Sequence, residues 1–149
     1  ALPDLVLRVL AWREHAGSPV GDLAAFRAAW IGLRPPRYRP KGLGRADPGA
    51  IAAAAALLGR HVDLAGWRPQ ATGGDDWSAI RDSAIVDAAA CAFAAWSVVH
   101  GEGVWIEGTG GATIVTPTTP DLTDRLAVNV DRLAAGSRPA LRLRTEARA

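Results

Sequence analysis

The sequence predicts an α+β domain, mainly helical, with a short antiparallel hairpin. Three observations predict it. Apolar residues recur at helical spacing in five separate stretches. Two short β-rich runs, Val104–Glu107 and Ala112–Thr116, flank a glycine joint. The chain has 149 residues, 49% hydrophobic and 21% charged, an ordinary balance for one soluble core over residues 1–149.

Each element has a local reason. Residues 3–16 read as an amphipathic helix, with Leu5, Val9 and Trp12 on one stripe that Leu7 and Leu10 widen. Pro3 suits its first turn and Gly17-Ser18-Pro19 stops it. A second helix covers Asp22 to Trp30, with Leu23, Phe26 and Trp30 on one face and Gly32 at its end. Residues 34–46 form a basic loop, because three prolines forbid a helix up to Lys41. The third helix starts near Asp47-Pro48, where Asp caps and Pro takes the first turn, and ends at Gly59.

A loop spans Trp67 to Trp77, and Ser78 or Asp76 is the expected cap of the longest helix, roughly 78–99. His100-Gly101 stops it. Gly108-Thr109-Gly110-Gly111 joins the two strands as a hairpin. Thr119-Pro120-Asp121 opens a last helix with Leu122, Leu126, Val130 and Leu133 inward. Leu141 and Leu143 alternate with Arg142 and Arg144 as an edge strand.

Composition excludes several classes of function. Seventeen basic and fifteen acidic residues leave +2, so the chain is no bulk polycation. The basic set is sixteen Arg and one Lys, Lys41. One cysteine, Cys91, excludes an internal disulfide and a cysteine-rich zinc site. No apolar run reaches the roughly 20 residues of a membrane span, and no signal-peptide core is present, so the expected compartment is cytoplasmic with no membrane partner. The sequence begins at Ala1 and holds no Met. A complete reading frame begins with Met, so the sequence reads as trimmed, matured or cut from something longer, of which it would be a C-terminal portion.

Asp87 is the most informative polar residue. Helical spacing places it on a stripe with Ile80, Ala84, Cys91, Ala94 and Val98. A carboxylate on an apolar stripe needs a partner. It is either a metal-holding or general-base group at the edge of a site, or a core-edge acid paired with an Arg. Asp82 is expected to face solvent, and Asp75 and Asp76 read as a turn and capping pair.

The basic loop is the second signal. Arg37, Arg39, Lys41 and Arg45 interleave with Tyr38, a pattern that binds phosphates and stacks on a base. The same loop also reads as a solvated segment that offsets nearby acids. His15, His61 and His100 do not cluster and sit at helix ends. Cys91 reads as a small packing residue, and the six Trp mostly as packing anchors.

The run Ser83-Ala84-Ile85-Val86-Asp87-Ala88-Ala89-Ala90-Cys91-Ala92-Phe93-Ala94-Ala95-Trp96 precedes Gly101-Glu102-Gly103 and a hairpin ending in Ile114-Val115-Thr116-Pro117. This pattern resembles the closing helix and turn of predicted nucleases with a ribonuclease-H-like fold, the domain of unknown function 429 family. Pro3–Arg8 and Arg37–Gly42 are similar to earlier segments of that family, so the resemblance spans roughly residues 3–117.

The resemblance implies the helical half of a ribonuclease-H-like α/β fold. It implies metal-dependent phosphodiester hydrolysis with Asp87 as a catalytic carboxylate and ligand to Mg or Mn. It also implies a nucleic-acid partner met by Arg37, Tyr38, Arg39, Lys41 and Arg45. The position where family members often carry a second acid is Ala84 here, and the family's opening acidic strands have no counterpart. Activity would then need another chain or an N-terminal segment. The competing expectations are an inactive or partial relative, and a non-catalytic nucleic-acid-binding or protein-assembly module that uses the basic loop.

Overall fold

The computed structural model describes residues 2–15, 23–33, 35, 37–39, 46–62, 80–108, 111–135 and 142–145. Five helices and three strands follow in the order α1 (Pro3–His15), α2 (Leu23–Gly32), α3 (Pro48–Gly59), α4 (Ser83–Val99), β1 (Gly103–Glu107), β2 (Thr113–Pro117), α5 (Pro120–Ala135) and β3 (Arg142–Arg144). The class is α+β and mainly helical, as the periodicity predicts. The small antiparallel sheet has the order β2-β1-β3.

The helix ends follow their sequence signals. Asp47 caps α3, its side chain accepting from the Gly49 amide at 2.9 Å, and Pro48 takes the first turn. The start of α4 differs from the sequence expectation. Asp82 caps the helix, accepting from the Ala84 amide at 2.8 Å, so α4 begins at Ser83 and not near residue 78. A short acid followed by small residues is itself a cap signal. Asp76 and Ser78 lie outside the described residues.

The hairpin also forms as read. β1 pairs with β2 in a register that sets Val104 against Thr116 and Ile106 against Ile114. Gly111 supplies a positive φ of 83° in the turn. β3 pairs antiparallel to β1, with Ile106 opposite Leu143, and forms one sheet edge.

Helix α4 organises the packing, lying against α1, α3, β1 and β2. The main core joins Val6, Leu7 and Leu10 of α1, Ile51, Ala54 and Leu58 of α3, and Val86, Ala90 and Phe93 of α4. Tyr38 and Ile80 enter the same cluster, each 0% exposed. A second cluster centres on Trp12, with Val9 and Leu122 buried and Phe26 and Trp30 of α2 packed beside them. Trp12 also donates its Nε1–H to the Asp121 carboxylate at 2.8 Å, which ties α1 to the start of α5.

One expected face shifts. The buried side of α4 carries Val86, Ala89, Ala90, Phe93, Ala94, Ser97 and Val98. Ala84 is exposed, and Asp87 and Cys91 are half-buried. The stripe drawn through Ala84, Asp87 and Cys91 is therefore the flank of the helix. The centre of its packed face lies about one residue further round, since neighbours differ by about 100°.

Candidate functional site: the Asp87 cluster

Asp87 stands at the rim of the core, where the flank of α4 meets the segment that holds residues 37–39. Tyr38 brings the two together. Its ring is buried among apolar side chains, and its hydroxyl donates to Asp87 Oδ1 at 2.5 Å. Arg39 then closes on the same carboxylate from the solvent side. Its Nε donates to Oδ1 at 3.2 Å, and its second terminal nitrogen lies 2.7 Å from Oδ2. Both carboxylate oxygens are thus engaged, in the two-point geometry that suits Arg and carboxylate.

The electrostatics follow from that arrangement. Burial raises the Tyr38 phenol pKa above its ordinary value, and the hydrogen bond to Asp87 and the charge of Asp87 raise it further. Tyr38 therefore stays protonated and stays a donor. The hydrogen bond to Asp87 likewise raises the Arg39 pKa, and Asp4, at the start of α1, adds a favourable negative charge. The result is a closed unit of donor, carboxylate and cation, with the Asp87 side chain 32% exposed.

The residues singled out in the sequence are therefore placed differently from one another. Asp87, Tyr38 and Arg39 come together. Arg37 is exposed. Lys41 and Arg45 lie outside the described residues, as do Asp75 and Asp76. Stacking of Tyr38 on a base needs an open ring face, and this ring is enclosed. Its value lies in the hydroxyl.

The Asp87 site does not fit a divalent metal. A two-metal centre gathers several carboxylates and leaves their oxygens open to the ions. Here a guanidinium and a phenol hold both oxygens of one carboxylate. Among the described residues, no group of three or more His, Cys, Asp or Glu is placed to hold an ion.

A second polar cluster was not singled out in the sequence. At the ends of α1 and α3, Arg60 grips Glu14 with Nε at 2.6 Å and a terminal nitrogen at 3.0 Å. His61 Nε2 approaches the same carboxylate at 3.1 Å. The hydrogen bond from Arg60 is the main reason the Glu14 carboxyl pKa lies below its ordinary value. The sequence signal was an acid near one helix end and an Arg-His pair just past another. Only the fold brings them within reach. The chain matches no family model, no curated protein and no solved structure.

Proposed function

We propose that this chain is a non-catalytic binding or assembly module, in which Asp87 holds the 37–39 segment against α4. One observation carries the reading. Both Asp87 oxygens are taken by Tyr38 and Arg39, and a buried Tyr hydroxyl needs that acceptor. A carboxylate used in this way is a structural clamp. The resemblance to ribonuclease-H-like nucleases then reflects a shared helix and turn put to a different use.

Calorimetry with Mn²⁺ and a hydrolysis assay on labelled single- and double-stranded nucleic acid test this reading. No Mn²⁺ heat that depends on Asp87, and no metal-dependent cleavage, are expected. Mn²⁺ binding that Asp87→Asn abolishes, with cleavage lost in parallel, would overturn it in favour of a nuclease.

A further inference from the structure

Helix α2 is apolar, yet it is not buried. From Leu23 to Gly32 its single charged residue is Arg27. None of residues 24–32 is buried: Phe26, Ala29 and Trp30 are half-buried, and the others are exposed. Ile31 is 62% exposed. An apolar run of this length is ordinarily a core helix or a segment that lies in a membrane interface. The core reading fails here. The Trp12 cluster takes Phe26, Ala29 and Trp30, and leaves the opposite stripe of Ala24, Arg27, Ala28 and Ile31 in solvent.

Charge is the second observation. Residues 23–46 hold six basic side chains, Arg27, Arg34, Arg37, Arg39, Lys41 and Arg45, and no acid. The whole chain carries only +2, so the remainder is net acidic and the positive charge is concentrated in α2 and the segment after it. Arg27 and Arg37 are exposed, and neither takes part in an ion pair among the described residues. Other helices add cations to the same place. Arg8 of α1 lies 5.7 Å over the Trp30 ring, and Arg125 of α5 lies 5.4 Å over the Phe26 ring.

These features discriminate between occupants. A second copy would bring two acid-free basic segments together. A nucleic acid would use the cations and gain nothing from Ile31 and the exposed alanines. An anionic lipid surface uses both, with phosphate head groups for the arginines and the acyl boundary for the apolar stripe. Trp and Arg suit that layer, each with an apolar body and a polar end. From this we infer that α2 is an interfacial anchor that lies along an anionic phospholipid bilayer. The inference rests on the binding-module reading above and names the partner. Among the described residues no helix is long and apolar enough to cross a membrane. Lying in the plane of the head groups needs no such length, and α2 covers about 15 Å of it. One short helix gives reversible, salt-sensitive attachment.

Co-sedimentation of the whole chain with lipid vesicles tests this. Binding is expected to phosphatidylcholine vesicles that contain about 40% phosphatidylglycerol, and not to phosphatidylcholine alone. Raising the salt from about 0.05 to about 0.5 M should weaken it by about tenfold or more. Arg27→Glu should also weaken it by about tenfold. Ile31→Ser leaves every charge in place and should weaken it by about fivefold, which attraction by charge alone would not show. Both positions are exposed, and circular dichroism verifies that the variants fold. A chain that ignores anionic vesicles, or binds them with no response to Arg27→Glu or Ile31→Ser, would overturn the proposal. So would binding of a labelled single-stranded oligonucleotide in place of vesicles, or a dimer that Ile31→Ser dissolves. None of these results bears on the Mn²⁺ and cleavage measurements, so the two readings fail separately.

Discussion

Asp87 shows how one residue type can be read correctly and its purpose still depend on the fold. Its need for a partner follows from an acid among apolar residues, and the structure supplies Tyr38 and Arg39. The two partners contribute unequally. Tyr38→Phe removes one hydrogen bond to a charged group and leaves Arg39 on Asp87, at an expected cost of about 1–2 kcal/mol. Asp87→Ala strands the buried Tyr38 hydroxyl and frees Arg39, and should cost about 2–3 kcal/mol. Asp87→Asn keeps an acceptor and falls between them. Urea unfolding of the three variants measures that order, and a Tyr38→Phe loss larger than that of Asp87→Ala would refute the clamp. The sequence made Asp87 visible because it breaks an apolar run. Tyr38 was misjudged because a loop rich in Arg and Pro reads as solvated, and no local pattern marks a ring that a distant helix will bury. Trp96 differs from the buried Trp12, since it stands half in solvent while it stacks on Phe93 and His100.

At the scale of elements, the sequence was most legible where a single residue decides a boundary. Pro3 in the first turn of α1, Asp47 and Pro48 at the start of α3 and Gly111 in the β1–β2 turn each stand where the sequence marks a boundary. The start of α4 was less legible because Asp76 and Ser78 offer caps earlier in the chain, and Asp82, expected to face solvent, is both exposed and the cap. Gly103 is a junction of another kind. A Cβ there would lie 2.7 Å from Val98 Cγ2 and 2.8 Å from the Val98 amide nitrogen, where the end of α4 meets β1. Backbone cannot yield as a flexible side chain can. Gly103→Ala should therefore cost about 1–3 kcal/mol in thermal or urea unfolding, far more than the same change at the open Gly32. The start of α5 carries a pH signature. Burial alone would raise the Asp121 carboxyl pKa, but hydrogen bonds from Thr119, Trp12 and two backbone amides outweigh it and lower the pKa. A depressed folded-state value means that the stabilisation is present above the unfolded carboxylate range. It is lost as pH falls through the lower, folded-state value. Asp121→Asn should therefore flatten the acid limb of stability below about pH 4, as acid titration of the unfolding midpoint would show.

For the molecule as a whole, the division into two cores matters more than the inventory of elements. The helical periods of α1 and α2 announce an apolar face for each, but not that α1 would serve two clusters at once. Leu7 and Leu10 face α3 and α4, while Val9 and Trp12 face α2 and Leu122 of α5. That split is a tertiary fact, because it depends on which elements arrive on either side of α1. Helix α2 joins the rest through the second cluster. Phe26 and Trp30 stack with their planes 9° apart, and both rings lie against Trp12 edge-on, with centroids 5.0 and 5.7 Å away. Arg8 covers Trp30, and Arg125 of α5 covers Phe26. Trp30→Ala therefore removes a large share of what holds α2, while the main core keeps every contact it has. Two core systems with one shared helix should then separate by stability. In hydrogen exchange, amides of α2 and the first turns of α5 should lose protection by about tenfold or more in Trp30→Ala, a local loss of roughly 1.4 kcal/mol or more. Amides of α3 and α4 should keep their wild-type rates. Equal acceleration in all four helices would mean that the molecule unfolds as one unit, with α1 transmitting the defect from one core into the other.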